Sequence, residues 1–207
     1  MVSHNLPDEK VLELSQKLCR EFRVTRMKPQ KLVWSETVPS DECGFAPPAF
    51  RSREIRLNLA LKDKLTSEEF GPIIASSLTF VYKIRKGEEI RLFLPMLLPW
   101  ILVLSIGLLF KQTVDVRTIV TIAIIVWPLI ALVSATRFAR HLRRLKLIAD
   151  KRAADFVGRE SLLSTLTKIE GLRLKDVEML KRGGFRAILS NKPTIDQRIR
   201  NLSVSQT

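Results

Sequence analysis

At 207 residues with 46% hydrophobic side chains, the chain is long enough for one domain and apolar enough to bury a core, which excludes general disorder. Its 35 Lys and Arg against 21 Asp and Glu give a formal net charge of +14, a balance that draws attention to phosphate-bearing partners. Two cysteines, Cys19 and Cys43, are too few for a disulfide framework and read as free thiols.

The opening Met1 to Asn5 runs into Asp8, Glu9 and Lys10 without the apolar stretch that a signal peptide needs. Over residues 8–22, Val11, Leu12, Leu14, Leu18, Cys19 and Phe22 recur at helical spacing, and Pro7 suits a first-turn position, so an amphipathic helix is expected there. Residues 31–36 form a short strand candidate around Leu32, Val33 and Trp34, and 39–48, rich in turn formers, reads as a loop. Residues 53–59 alternate, with Ile55, Leu57 and Leu59 to one side and Glu54, Arg56 and Asn58 to the other, as a half-exposed strand does. A helix is expected from Thr66, where Thr66 and Glu69 can cap each other's backbone, with Phe70, Ile73, Ile74, Ser77, Phe80 and Ile84 along one face as far as Gly87.

Residues 92–110 and 118–136 each lack a charged side chain for long enough to make about 28 Å of helix, close to the hydrocarbon thickness of a bilayer. Two membrane spans forming a hairpin are expected. Lys83, Arg85, Lys86 and Arg91 precede the first and Arg137, Arg140, Arg143, Arg144 and Lys146 follow the second, whereas the loop between them holds Lys111 and Arg117 with Asp115, so both termini are expected in the cytoplasm. Beyond the hairpin, 145–157, 160–172, 174–182 and 193–202 read as helices, the last two separated by Gly183 and Gly184. The expected organisation is an α+β, mainly α, cytoplasmic domain built from 1–91 and 137–207 and interrupted by the hairpin at 92–136. The bases flanking the spans are accounted for by orientation and by lipid headgroups, and no stacking aromatics interleave with them, so membrane lipid rather than nucleic acid is the expected partner.

Several motifs lie along this frame: Cys43-Gly44-Phe45-Ala46 before the strand, Leu65-Thr66-Ser67-Glu68-Glu69 at the helix start, Ala149-Asp150 after the spans, Val157-Gly158-Arg159-Glu160, and Lys192-Pro193-Thr194 with Arg198-Ile199. Their order resembles that of the HtpX-like membrane zinc metallopeptidases, which include the CAAX prenyl-protein endopeptidases, over most of the chain. The resemblance implies a small gluzincin-like fold and identifies Asp150 and Arg198 as retained family positions. It also implies a shortened member, since the family's first pair of membrane segments has no counterpart here.

In that family the helix leading into the spans carries His-Glu-x-x-His, and a Glu after the spans completes the zinc site. By the resemblance, Ser76 stands for the first His, Ser77 for the general-base Glu, Phe80 for the second His and Lys146 for the third-ligand Glu. Zinc requires imidazole, thiolate or carboxylate donors, and hydroxyls, a phenyl ring and an ammonium supply none of these. The expectation is a chain without metal, cofactor or peptidase activity. His4 and His141 are isolated, and a Ser-Lys hydrolase built from Ser76 or Ser77 with Lys146 lacks a recognisable oxyanion motif. A charge pair of Lys146 with Asp150, one turn apart, is an alternative use of that position.

The reading that follows is a pseudo-peptidase anchored in the membrane, binding an extended polypeptide or a membrane protein. Residues 53–59, through Arg53, Ile55, Leu57 and Leu59, are the candidate polypeptide-binding edge, because backbone pairing needs no zinc. Trp100 and Trp127, each beside a proline well inside its span, are candidate contacts if the chain is instead an accessory subunit of a membrane complex. An active zinc peptidase with an unrecognised ligand set is the third reading.

Overall fold

The computed structural model describes residues 6–24, 27–45, 53–85, 101, 105, 116–183 and 190–204. Helix α1 (Leu6–Glu21) carries Asp8 and Glu9 in its first turn and Arg20 in its last, signs that suit the helix dipole. Its Val11, Leu18 and Cys19, with Phe22 just beyond, are buried in the main core. The amphipathic helix expected at 8–22 is therefore present.

Three short strands follow: β1 (Lys31–Ser35), β2 (Gly44–Phe45) and β3 (Glu54–Asn58), in the spatial order β1-β3-β2. Strand β1 runs parallel to β3, with Leu32 opposite Ile55 and Trp34 opposite Leu57, and β2 runs antiparallel, with Phe45 opposite Ile55. Three expectations are corrected here. The segment 39–48 is not all loop, since Gly44 and Phe45 pair with β3. The strand at 53–59 is not an edge but the central strand, and Ile55 and Leu57, at 0% and 1% exposure, belong to the core. Leu59 does not share their face: the chain turns at Asn58, whose side chain accepts from the Ala60 N–H (2.7 Å), and Leu59 enters a 3-10 turn at 43% exposure. The exposed Arg53 precedes β3 and takes Gln30 and Lys31 N–H groups on its carbonyl.

The expected capping box is real, with Thr66 N–H on the Glu69 carboxylate (2.7 Å) and Glu69 N–H on the Thr66 hydroxyl (3.4 Å), but it shapes a turn, and regular helix begins at α2 (Phe70–Leu78). Lys168 binds the same Glu69 carboxylate. All nine residues of α2 are buried, so it is a core helix covered on every side, with Ser76 and Ser77 as its polar residues. It continues into a wider, π-helical segment, Thr79–Arg85; Gly87 lies outside the described residues.

Helix α3 (Val116–Val157) has 42 residues, about 63 Å at the usual rise. The expected span and the helix after it are one continuous helix; it contains Pro128, and over 137–157 neither Gly nor Pro interrupts it. Gly158, at φ +86°, ends it in a conformation that side chains with a Cβ rarely adopt, and α4 (Arg159–Gly171) sets off in a new direction. Then come α5 (Lys175–Lys181) and α6 (Ile195–Ser203), the latter opened by a capping box between Thr194 and Gln197. Arg159 donates to the Leu202 and Ser203 carbonyls (2.7 Å to the latter), covering the end of α6.

The fold is thus α+β and mainly α, with a three-stranded sheet. Judged on the described residues, no helix is long and apolar enough to cross a membrane. Of the expected spans, 92–110 lies outside those residues apart from 101 and 105; 118–136 is helical within α3, and the side chains of 118–127 and 129–131 are likewise outside. Trp100 and the side chain of Trp127 fall in these segments.

Leu162, Leu166 and Ile169 of α4 meet Ile73, Ile74 and Leu78 of α2 in the main core, where Ala153 of α3 keeps that helix close. Leu166→Ala should lose about 2–5 kcal/mol of stability, as large-to-small core substitutions do. Met179→Ala, at a 49% exposed site, should change it by less than about 0.5 kcal/mol, and chemical denaturation of the two variants checks the contrast.

Candidate functional site

The loop before β2 is held by four different elements through four consecutive residues. Ser40 donates its N–H and hydroxyl to Asp176 of α5 (2.7 and 2.8 Å). Asp41 receives Arg198 of α6 on both its carbonyl and its carboxylate (2.8 Å each). Glu42 faces Lys146 of α3 (3.7 Å) and Lys192 (3.0 Å), and the Cys43 N–H donates to the Ser77 hydroxyl of α2 (2.9 Å). A segment rich in turn formers is fixed because side chains from the surrounding helices satisfy its polar groups.

Arg198 is the hub. Its Nε and Nη2 grip Asp150 in a two-pronged pair (2.8 Å each), its Nη1 takes Asp41 twice, and its Nη2 also reaches the Ser76 hydroxyl (3.2 Å). All five guanidinium N–H groups therefore have acceptors, as a side chain that is 0% exposed requires. Ser76, accepting from Arg198, passes its own proton toward Asp150 (2.5 Å). Burial would lower the Arg198 pKa, but Asp150 and Asp41 hold it above its ordinary value, so the guanidinium stays charged.

Lys146 is 2% exposed, with its ammonium against Glu42 and 5.4 Å from the centre of the Phe80 ring. The pairing of Lys146 with Asp150, which the sequence left open, is not formed. The two lie one turn apart on α3, but Asp150 is taken by Arg198 and Lys146 turns to the loop. Burial raises Asp41 above the usual carboxylate range against the pull of Arg198. Burial also works to raise Glu42, but Lys146, Lys192 and Arg198 outweigh it and bring its pKa from the ordinary 4.5 to about 2.

Of six positions singled out in the sequence, Ser76, Ser77, Lys146, Asp150 and Arg198 are thus buried around the 41–43 loop, and Phe80, partly buried, lies against Lys146. The candidate edge residues Arg53, Ile55, Leu57 and Leu59 make no contact of this kind. Sequence reasoning missed Asp41, Glu42 and Lys192. The available signal was the adjacent acidic pair Asp41-Glu42 in an otherwise uncharged run from Thr37 to Phe50.

The zinc that the resemblance implies does not fit these side chains. The positions that would ligate it, Ser76, Phe80 and Lys146, offer a hydroxyl, a phenyl ring and an ammonium, and the guanidinium of Arg198 lies on the Ser76 hydroxyl. Among the described residues no three His, Cys, Asp or Glu side chains are grouped to hold a metal ion. A Ser-Lys nucleophile does not form either: Ser76 donates to Asp150, Ser77 accepts from the backbone, and Lys146 is committed to Glu42. The Cys43 thiol is pushed far up by burial and the Cys19 thiol to about 11, so neither is a thiolate at neutral pH.

Arg198→Met should destabilise the fold by about 3–5 kcal/mol, because two buried acids lose their partner. Arg198→Lys should be only partly restorative, since an ammonium cannot make the two-pronged contact. Adding Asp150→Asn to Arg198→Met should recover part of the loss, and a double-mutant cycle by chemical denaturation measures it.

Because the Glu42 pKa is depressed, its stabilisation is full above 4.5 and is lost as pH falls toward about 2. Glu42→Gln should therefore lower the melting temperature at pH 7 and flatten its decline between pH 4.5 and 2; an unchanged acid limb counts against the assignment.

Comparison with protein-family models, with curated proteins and with solved structures returned no match to the chain.

Proposed function

We propose that this chain is a membrane-anchored, non-catalytic relative of the HtpX-like zinc metallopeptidases that serves as a scaffold or polypeptide-binding subunit. The observation that carries the reading is the buried cluster. The positions matched to the family's zinc site by motif order alone, Ser76, Ser77, Phe80 and Lys146, all border the polar network around residues 41–43, and their side chains are unable to ligate zinc. Ser76 does so through Arg198 and Asp150, Ser77 through the Cys43 N–H, and Lys146 through Glu42 with its ammonium over the Phe80 ring. Without a metal-activated water or a carboxylate at Ser77, the family's hydrolytic step has neither nucleophile nor base.

What remains is a rigid fold with two outer strands. Strand β3 has neighbours on both sides, so an extended polypeptide would add to β1, the longer of the outer strands, rather than to 53–59. Anchoring rests on the uncharged runs 92–110 and 118–136, and exposed Leu132 and Val133, at 43% and 50%, agree with an apolar environment around that part of α3.

Elemental analysis of the purified full chain should find far less than one zinc per molecule, and stoichiometric zinc would overturn the reading. The combined variant Ser76→His, Ser77→Glu, Phe80→His and Lys146→Glu should bind about one zinc if the motif matching is right. A variant that keeps a cooperative melt but takes up no metal sinks the resemblance.

A further inference from the structure

Five bases follow the uncharged run 118–136, and α3 sorts them. Arg143 turns inward, its Nε donating to the Ser190 carbonyl (2.8 Å), and Lys146 is buried against Glu42. Arg137, Arg140 and Arg144 are exposed and make no hydrogen bond or ion pair among the described residues. At 3.6 residues per turn these three fall with Val133 and Ile148 on an arc of about 80°. Val133 and Ile148 are themselves 50% and 43% exposed. The stripe therefore passes from an exposed aliphatic residue through three arginines to another aliphatic one, with Lys151 beyond.

The dimensions suit a bilayer surface. Arg137 to Arg144 spans about 10 Å along the helix, comparable with the headgroup layer and one Debye length at 0.1 M salt. The acid closest in sequence, Asp150, faces inward and is held by Arg198, so nothing on this arc neutralises the arginines until Asp155. Guanidinium groups at this depth match phosphate geometry.

We propose that Arg137, Arg140 and Arg144 form a headgroup-binding stripe that selects anionic phospholipid around the end of the second span. The proposal rests on the membrane-anchored reading. It separates bases that hold the fold, Arg143 and Lys146, from bases that hold lipid.

The test uses the full chain in phosphatidylcholine vesicles doped with spin-labelled phosphatidylglycerol or spin-labelled phosphatidylcholine, reading the motionally restricted fraction of each. The wild type should restrict phosphatidylglycerol about fivefold more than phosphatidylcholine at low salt, the factor expected from one basic residue near an anionic surface or more. That ratio should fall toward one at high salt. Arg137→Gln, Arg140→Gln and Arg144→Gln together should remove most of the preference without moving the melting temperature, and Arg143→Gln should leave the preference in place. A wild type without preference, or a triple variant that retains it, overturns the stripe while leaving anchoring intact. Release of the chain by alkaline carbonate overturns the anchoring reading and the stripe with it.

Discussion

The buried guanidinium of Arg198 is the constraint around which the rest is arranged. It joins α6 to Asp150 of α3, to Asp41 of the loop before β2 and to Ser76 of α2, so four parts of the chain distant in sequence are fixed relative to one another by one planar group. The geometry leaves little freedom. A fully buried cation is tolerable only when each N–H has an acceptor, and an arginine with five satisfied donors dictates where every acceptor must stand. The apolar core gives the fold most of its driving force, but it is indifferent to small shifts of one helix along another; this network is not.

Charge balance extends the same point. Arg198, Lys146 and Lys192 face Asp41, Glu42 and Asp150, three cations against three acids, with the Phe80 ring beside Lys146. Were a metal dication to stand here among carboxylates, the cations would be superfluous. An ammonium at Lys146 contributes positive charge from a side chain instead, and in doing so it recruits Glu42 rather than its helical neighbour Asp150. The reason is competition: Asp150 already receives two parallel hydrogen bonds from Arg198, a stronger arrangement than a single ammonium can offer.

The sequence was legible where one physical signal dominated. Helical periodicity located α1, α4 and α6, and the Thr66–Glu69 box was read correctly although it caps a turn before the helix rather than the helix itself. Alternation at 53–59 found β3 but could not tell a central strand from an edge, since neighbours on either side leave no mark on a strand's own period; at its end the facing was misread twice, Asn58 being buried and Leu59 exposed. Motif order gathered Ser76, Ser77, Phe80, Lys146, Asp150 and Arg198 as positions of interest. It could not supply Asp41 and Glu42, because a turn-rich loop gives no periodicity, and the partners that hold it come from residues 34 to 157 positions away.

Helix α3 carries both halves of the proposed design. Its inward face bears Lys146 toward the loop, Asp150 toward α6 and α2, Ala153 in the main core, and Leu142 and Ala149 against Ile84, whereas its outward face bears Arg137, Arg140 and Arg144. The helix has no glycine or proline between Arg137 and Val157, so the two faces are rigidly related over that length. Were the arginines held at a bilayer surface as proposed, the height of Asp150 above it would be fixed, and through Arg198 that of α2, α6 and the 40–43 loop. The proposed scaffold, holding a polypeptide-pairing strand at a set distance from a membrane, would need this stiffness, and the buried ion network joins the helix to the loop that leads into the sheet.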